Sequence, residues 1–109
     1  MKILLDENLP KKLKSDFGEN HEVFTVRNMY WNGKKNGELL GLMLVHNFEG
    51  FVTLDKNLRF QQYIPKFPIK FFVLDAPNSK LETLQLYIEK LVSILETDSD
   101  DQLFMVQIP

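Results

Sequence analysis

Apolar positions along this chain fall into two patterns. Short unbroken runs occur at Ile3–Leu5, Val23–Val26, Phe51–Leu54 and Phe71–Leu74, with a fifth at Leu103–Ile108. They are rich in branched and aromatic residues and bounded by turn or cap residues. Three lack a polar–apolar alternation, as strands covered on both faces do. Between the runs the spacing is helical. Leu9, Leu13 and Phe17 recur every four residues, with Lys11, Lys12 and Lys14 on the solvent side, Pro10 in a first turn and Gly18 as a stop. Glu38 to His46 reads as a dense apolar helix with Asn36 as its N-cap. Ser79-Lys80-Leu81-Glu82 is a capping-box sequence, and Leu81, Leu84, Ile88, Leu91 and Leu95 then form one stripe. Glu96 to Asp101 is acidic and reads as a solvated connector, because negative charge near a helix C-terminus is unfavourable. Arg27 to Lys35 is the one long polar loop.

Strand and helix thus alternate from end to end. This predicts an α/β fold with a mostly parallel sheet of roughly five strands and right-handed crossovers. The edge at which the last strand joins, and its direction, stay open at this level. A length of 109 residues bounds the chain to one domain, residues 1–109.

Composition changes the picture mainly by what it removes. There is no cysteine, which excludes a disulfide framework, a thiolate zinc site, an iron–sulfur cluster and a cysteine nucleophile. His21 and His46 are the only imidazoles, so any bound metal is expected to be a hard, oxygen-ligated cation. Thirteen basic against 15 acidic residues give a net charge of −2. That balance disfavours a protein that coats nucleic acid but leaves room for an enzyme with a local groove. No apolar stretch approaches the ~20 residues of a membrane span, and the N-terminus turns acidic at Asp6. A cytoplasmic protein with no membrane partner is the expectation.

Three predicted strands end in a carboxylate: Asp6, Asp55 and Asp75. In an open parallel sheet the carboxyl ends line the edge where ligands bind, so Asp6 and Asp55 face one crevice if their strands are neighbours. Glu38, in the first turn of the second helix, is expected to open toward the same edge. Carboxylates that converge repel each other unless a cation or proton intervenes. Mg²⁺ or Mn²⁺, held by one or two carboxylates plus water, meets that need and suits phosphodiester hydrolysis. Asp6, Asp55 and Glu38 are therefore the candidate catalytic and metal-binding residues. Asn8, Lys35, Asn36, Lys56 and Asn57 flank them as candidate substrate-binding residues, with Lys34 and Lys35 placed to steer phosphates. The same side chains also have structural uses. Asp and Asn at strand ends form turns and caps, Asp75 precedes the turn sequence Ala76-Pro77-Asn78, and Glu38 complements a helix dipole. Tyr30 and Trp31 suit either stacking on a base or covering the core.

The segments Leu4-Leu5-Asp6-Glu7-Asn8-Leu9-Pro10, His21-Glu22-Val23, Lys35-Asn36-Gly37-Glu38-Leu39-Leu40 and Val52-Thr53-Leu54-Asp55-Lys56-Asn57-Leu58 resemble the small stand-alone PIN-like proteins. Gln61-Gln62, Val73-Leu74, Ala76-Pro77 and Leu81-Glu82 extend the likeness over nearly the whole chain. The resemblance implies a three-layer α/β/α PIN-like domain and a metal-dependent ribonuclease site acting on single-stranded RNA. It further implies a homodimer and, as many PIN nucleases are toxins, a cognate antitoxin. By position, Asp6 is the first-strand acid and Asp55 the later strand-end acid. Many relatives carry Asp where Asn36 stands, which leaves Glu38 as the nearest helix acid, and some carry a second acid where Asn57 stands. Asparagine adds no charge, so the metal would be held more weakly.

Two other readings stay open. A PIN-like module that has lost catalysis would bind RNA or protein without cutting, in keeping with Asn36 and Asn57. A receiver-like phosphoacceptor also pairs first-strand acids with a later strand-end Asp. The fourth strand here, however, ends in Asp75-Ala76 rather than a hydroxyl residue before alanine, and no lysine ends the fifth.

Overall fold

Short apolar runs form the five strands at the centre of the molecule, and the three inner ones bury both faces. The computed structural model describes residues 1–58, 64–97 and 99–108. Strands β1 (Lys2–Leu5), β2 (Glu22–Thr25), β3 (Gly50–Thr53), β4 (Lys70–Leu74) and β5 (Leu103–Val106) form one sheet in the order β2-β1-β3-β4-β5. Every pairing is parallel, with Leu5 opposite Thr25 and Val52, Val52 opposite Phe72, and Leu74 opposite Val106. All four residues of β3 are buried. The last strand, whose place local pattern leaves open, lies parallel to β4 at the far edge.

The period-two alternation of side chains divides the core into two layers. Ile3, Leu5, Val52, Phe72, Leu74 and Val106 face one side, where Leu13 and Phe17 of a 3-10 helix (Lys11–Phe17) meet Leu84, Ile88 and Leu91 of helix α2 (Leu81–Leu95). Leu4, Phe51 and Phe71 face the other side, against Leu39, Leu40 and Met43 of helix α1 (Asn36–Val45) and against Leu58, Ile64, Phe67 and Ile69. The arrangement is a three-layer α/β/α fold, as the alternation of elements predicts. Among the described residues no helix is long and apolar enough to cross a membrane.

Three local expectations are corrected. Residues 11–17 wind as a 3-10 helix rather than an α-helix, with Leu13 N–H bonded to the carbonyl of Pro10 and Gly18 at φ 79° closing the segment. The Ser79 capping box does not form: α2 starts at Leu81 after Lys80, and Asn78 Oδ1 accepts the Lys80 N–H in an Asx turn instead. Asn36 is the first residue inside α1, with Lys35 at the cap and no side-chain cap bond. The crossovers are also not all of one hand. The connection β1→β2 and the connection β4→β5 cover the same face but step in opposite directions across the sheet, so they are of opposite hand. The β2→β3 and β3→β4 connections share the hand of the first. Sheet physics favours right-handed crossovers, and α2 is the element that departs, packing beside the 3-10 helix. Gln61-Gln62, and Asp98 within the acidic connector, lie outside the described residues.

Candidate functional site

In an open parallel sheet the strand order reverses at one point, and the crevice beyond the carboxyl ends there is where ligands bind. Here the reversal falls between β1 and β3. β2 lies on one side of β1 and β3 on the other, so the crossovers leave this point in opposite directions. Asp6 follows β1 directly, and its N–H continues the ladder to the Val52 carbonyl at 2.9 Å. Asp55 lies two residues beyond β3. Both acids therefore follow neighbouring strands at the same edge of the sheet.

Thr53 joins them. Its hydroxyl donates to Asp6 Oδ2 at 2.6 Å and accepts the Asp55 N–H at 3.0 Å, in a fully buried position. Asp6 Oδ1 accepts the Glu7 N–H at 2.8 Å, and Asp55 Oδ1 accepts the Asn57 N–H at 2.9 Å. Both carboxylates are thus oriented by neighbouring donors. In the linear pattern Thr53 is only a strand residue, with no role of its own. The available signal was a hydroxyl inside a run of fully buried apolar residues, where an unpartnered polar group is costly.

The remaining candidates divide. Asn57 contributes its backbone to Asp55, and Asn8 is exposed in the turn after Glu7. Lys56 pairs with Asp75 at the end of β4, and Gln107, just beyond β5, donates to the other oxygen of that carboxylate. The Lys56 and Gln107 contacts hold the Asp75 carboxyl below its ordinary range. Lys56 and Asp75 thereby link the ends of β3, β4 and β5 rather than standing free. Lys35 is exposed at the start of α1. Glu38 is exposed in the first turn of α1, 4.0 Å from Lys34, as i,i+4 spacing allows.

Among the described residues no three His, Asp or Glu side chains gather closely enough to hold a metal ion, so Glu38 does not complete a triad with Asp6 and Asp55. What the edge offers is a pair of carboxylates. That oxygen-only set suits a hard divalent cation held by one or two carboxylates and water, and does not suit a soft metal.

Beside Asp6 the edge opens into a cleft of about 340 Å³, bounded by Glu7, Lys11, Thr25, Arg27, Asn28 and Asn32 among others. The wall is the 27–35 loop, pinned by Glu7 Oε1, which accepts from Asn32 Nδ2 and the Gly33 N–H, each at 3.2 Å. A larger cleft, about 490 Å³, lies at the opposite edge near Met1, Lys70 and Gln102. Its amide and ammonium groups are occupied: Gln102 donates to the carbonyls of Ile64, Phe67 and Ile69, and Lys70 to those of Ser99 and Asp101. Of the two, only the smaller cleft borders a candidate acid, Asp6.

The fold and site define an α/β protein with a strand-end acidic pair at its switch point. No protein-family model, curated protein or solved structure matches the chain.

Proposed function

We propose that this protein is a divalent-metal-dependent ribonuclease that hydrolyses phosphodiester bonds of single-stranded RNA at the β1/β3 edge. The supporting observation is the placement of Asp6 and Asp55 on either side of the switch point, coupled through the Thr53 hydroxyl. Asp6 and Asp55 would hold Mg²⁺ or Mn²⁺, and such an ion supplies a water of lowered pKa and neutralises charge on the phosphoryl oxygens. The protein's own groups set the geometry. Thr53 and the Glu7 N–H fix both oxygens of Asp6, and the Asn57 N–H fixes Asp55. Glu38, exposed beside Lys34 in the first turn of α1, does not join the two acids, so the ion would rest on Asp6, Asp55 and water. Asn8, Lys35, Asn36 and Asn57 border the path of the RNA. In this proposal the protein is cytoplasmic, with a second copy and a cognate antitoxin as partners.

The test is cleavage of a fluorescently labelled single-stranded RNA in Mg²⁺ or Mn²⁺, with chelator as control. Asp6→Asn and Asp55→Asn should each abolish it, and cleavage that survives in both variants overturns the proposal.

A second reading is a module of the same fold that binds RNA without cutting it. It is favoured by the lack of a three-acid group among the described residues and by the neutral Asn36 and Asn57. The receiver-like reading shares the strand order β2-β1-β3-β4-β5. It is disfavoured because the ends of β4 and β5 present the Asp75–Lys56 pair and Gln107 instead of a hydroxyl and a lysine.

A further inference from the structure

Tyr30 is 92% exposed at the tip of the 27–35 loop, and its backbone is held at φ 60°. A bulky aromatic residue in the left-handed region is strained, and an exposed ring gains nothing from burial. The loop gives it no freedom to relax. Tyr30 N–H bonds to the Arg27 carbonyl, and the N–H groups of Met29 and Trp31 both bond to the Val26 carbonyl. Asn28 is locked by reciprocal bonds with Thr25, and its Oδ1 also accepts from Lys14. The neighbouring Trp31 is buried, edge-on to Phe48 and His46, and anchors the segment in the core. The aromatic pair is thus split: Trp31 covers the core and Tyr30 is presented to solvent.

The cleft walled by this loop holds two cations. Lys11 and Arg27 line the cleft next to Asp6, and among the described residues neither makes an ion pair or side-chain hydrogen bond. A rigidly held exposed aromatic on a loop that walls a cleft lined by unpaired cations is the chemistry that binds single-stranded nucleic acid, the ring stacking on a base and the cations meeting phosphates.

We infer that the 27–35 loop and the adjoining cleft form a substrate subsite in which Tyr30 stacks on an RNA base while Arg27 and Lys11 contact the neighbouring phosphates. This rests on the reading of the β1/β3 edge as an RNA site, and it assigns binding to residues separate from the acidic pair.

The experiment is fluorescence anisotropy of a labelled ten-nucleotide oligouridylate with the full chain in chelator, where no metal-dependent cleavage intervenes. Tyr30→Gly relieves the strained backbone, so a loss of binding by this variant is not a loss of folding. It should weaken binding about tenfold while the melting temperature holds or rises, and Tyr30→Phe should bind as the parent does. Arg27→Ala should lower the slope of log affinity against log salt by about 0.7, the value for one single-strand phosphate contact. Unchanged affinity in Tyr30→Gly, or no binding by the parent chain, overturns the inference. The same proteins in Mn²⁺ separate the two claims. Tyr30-dependent binding without cleavage sustains this subsite and fells the hydrolytic reading. Cleavage by the parent at subsaturating RNA, with Tyr30→Gly equally active, does the reverse.

Discussion

The Thr53 hydroxyl donates to Asp6 Oδ2 at 2.6 Å, so the end of β3 directly orients the acid that ends β1. The parallel register that sets Val52 opposite Leu5 brings the next residue on each strand together. Because the same hydroxyl accepts the Asp55 N–H, one buried oxygen fixes the positions of both acids.

Replacing that group tests its role. Thr53→Val keeps the shape but leaves Asp6 Oδ2 and the Asp55 N–H without this partner. It should destabilise the fold by about 1–3 kcal/mol, whereas Thr53→Ser should stay close to the parent. Chemical denaturation measures both. Equal stability of the valine and serine variants would show that the hydroxyl is incidental.

Metal binding should appear in thermal stability. At roughly ten times its Kd, Mn²⁺ should stabilise the parent by about 1.4 kcal/mol, a rise in Tm of about 6 °C. Asp6→Asn and Asp55→Asn should remove that rise. Without metal Asp55→Asn, which keeps an oxygen for the Asn57 N–H, should be about as stable as the parent, whereas Asp6→Asn gives up one of two accepting oxygens and should cost about 1–3 kcal/mol. A parent whose Tm ignores Mn²⁺ favours the non-cutting module.

His21 should give a pH dependence with a definite sign. Burial, and then the N-terminal ammonium 3.5 Å from Nδ1, hold its pKa below 6.5, with Glu96 opposing them. The unfolded chain takes up the proton first as pH falls, so the stabilising contribution is complete above 6.5 and is lost as pH drops through the folded value. An NMR titration should place the His21 midpoint below 6.5, and His21→Gln should flatten the stability profile in that window. A midpoint at or above 6.5 contradicts this environment.

Gln102 is the clamp at the other end of the sheet. Its amide donates to the carbonyls of Ile64, Phe67 and Ile69, which hold the segment entering β4. Gln102→Ala should cost about 1–3 kcal/mol by leaving those carbonyls less well paired. Gln102→Glu should cost more at neutral pH, because a carboxylate would face carbonyl oxygens, and should recover in acid. Amide exchange of residues 64–69 would report the same opening; unchanged protection in Gln102→Ala would assign the hold on this segment elsewhere.

Much of the site is legible in the linear chain because Asp6 and Asp55 each follow a run that can only be a buried strand. Lys56 is legible as a charge but not as a structural partner. Its pairing with Asp75 depends on β3 and β4 being neighbours, a relation between positions 19 residues apart that local pattern does not carry. Thr53 and Glu38 show the same limit from opposite sides. A hydroxyl that reads as strand filler is the link between the acids, and a helix carboxylate expected at the edge lies beside Lys34.

The linear chain by itself determined the five strands, the two α-helices to within their caps and the exclusion of thiolate chemistry, because burial on both faces and residue inventory are local properties. The strand order, the reversal between β1 and β3, the reversed hand of the α2 crossover and the outward Tyr30 were decided only in three dimensions. They arise from how the two apolar layers share one sheet, and from hydrogen bonds such as Thr53 to Asp6 that exist only once distant segments are in register.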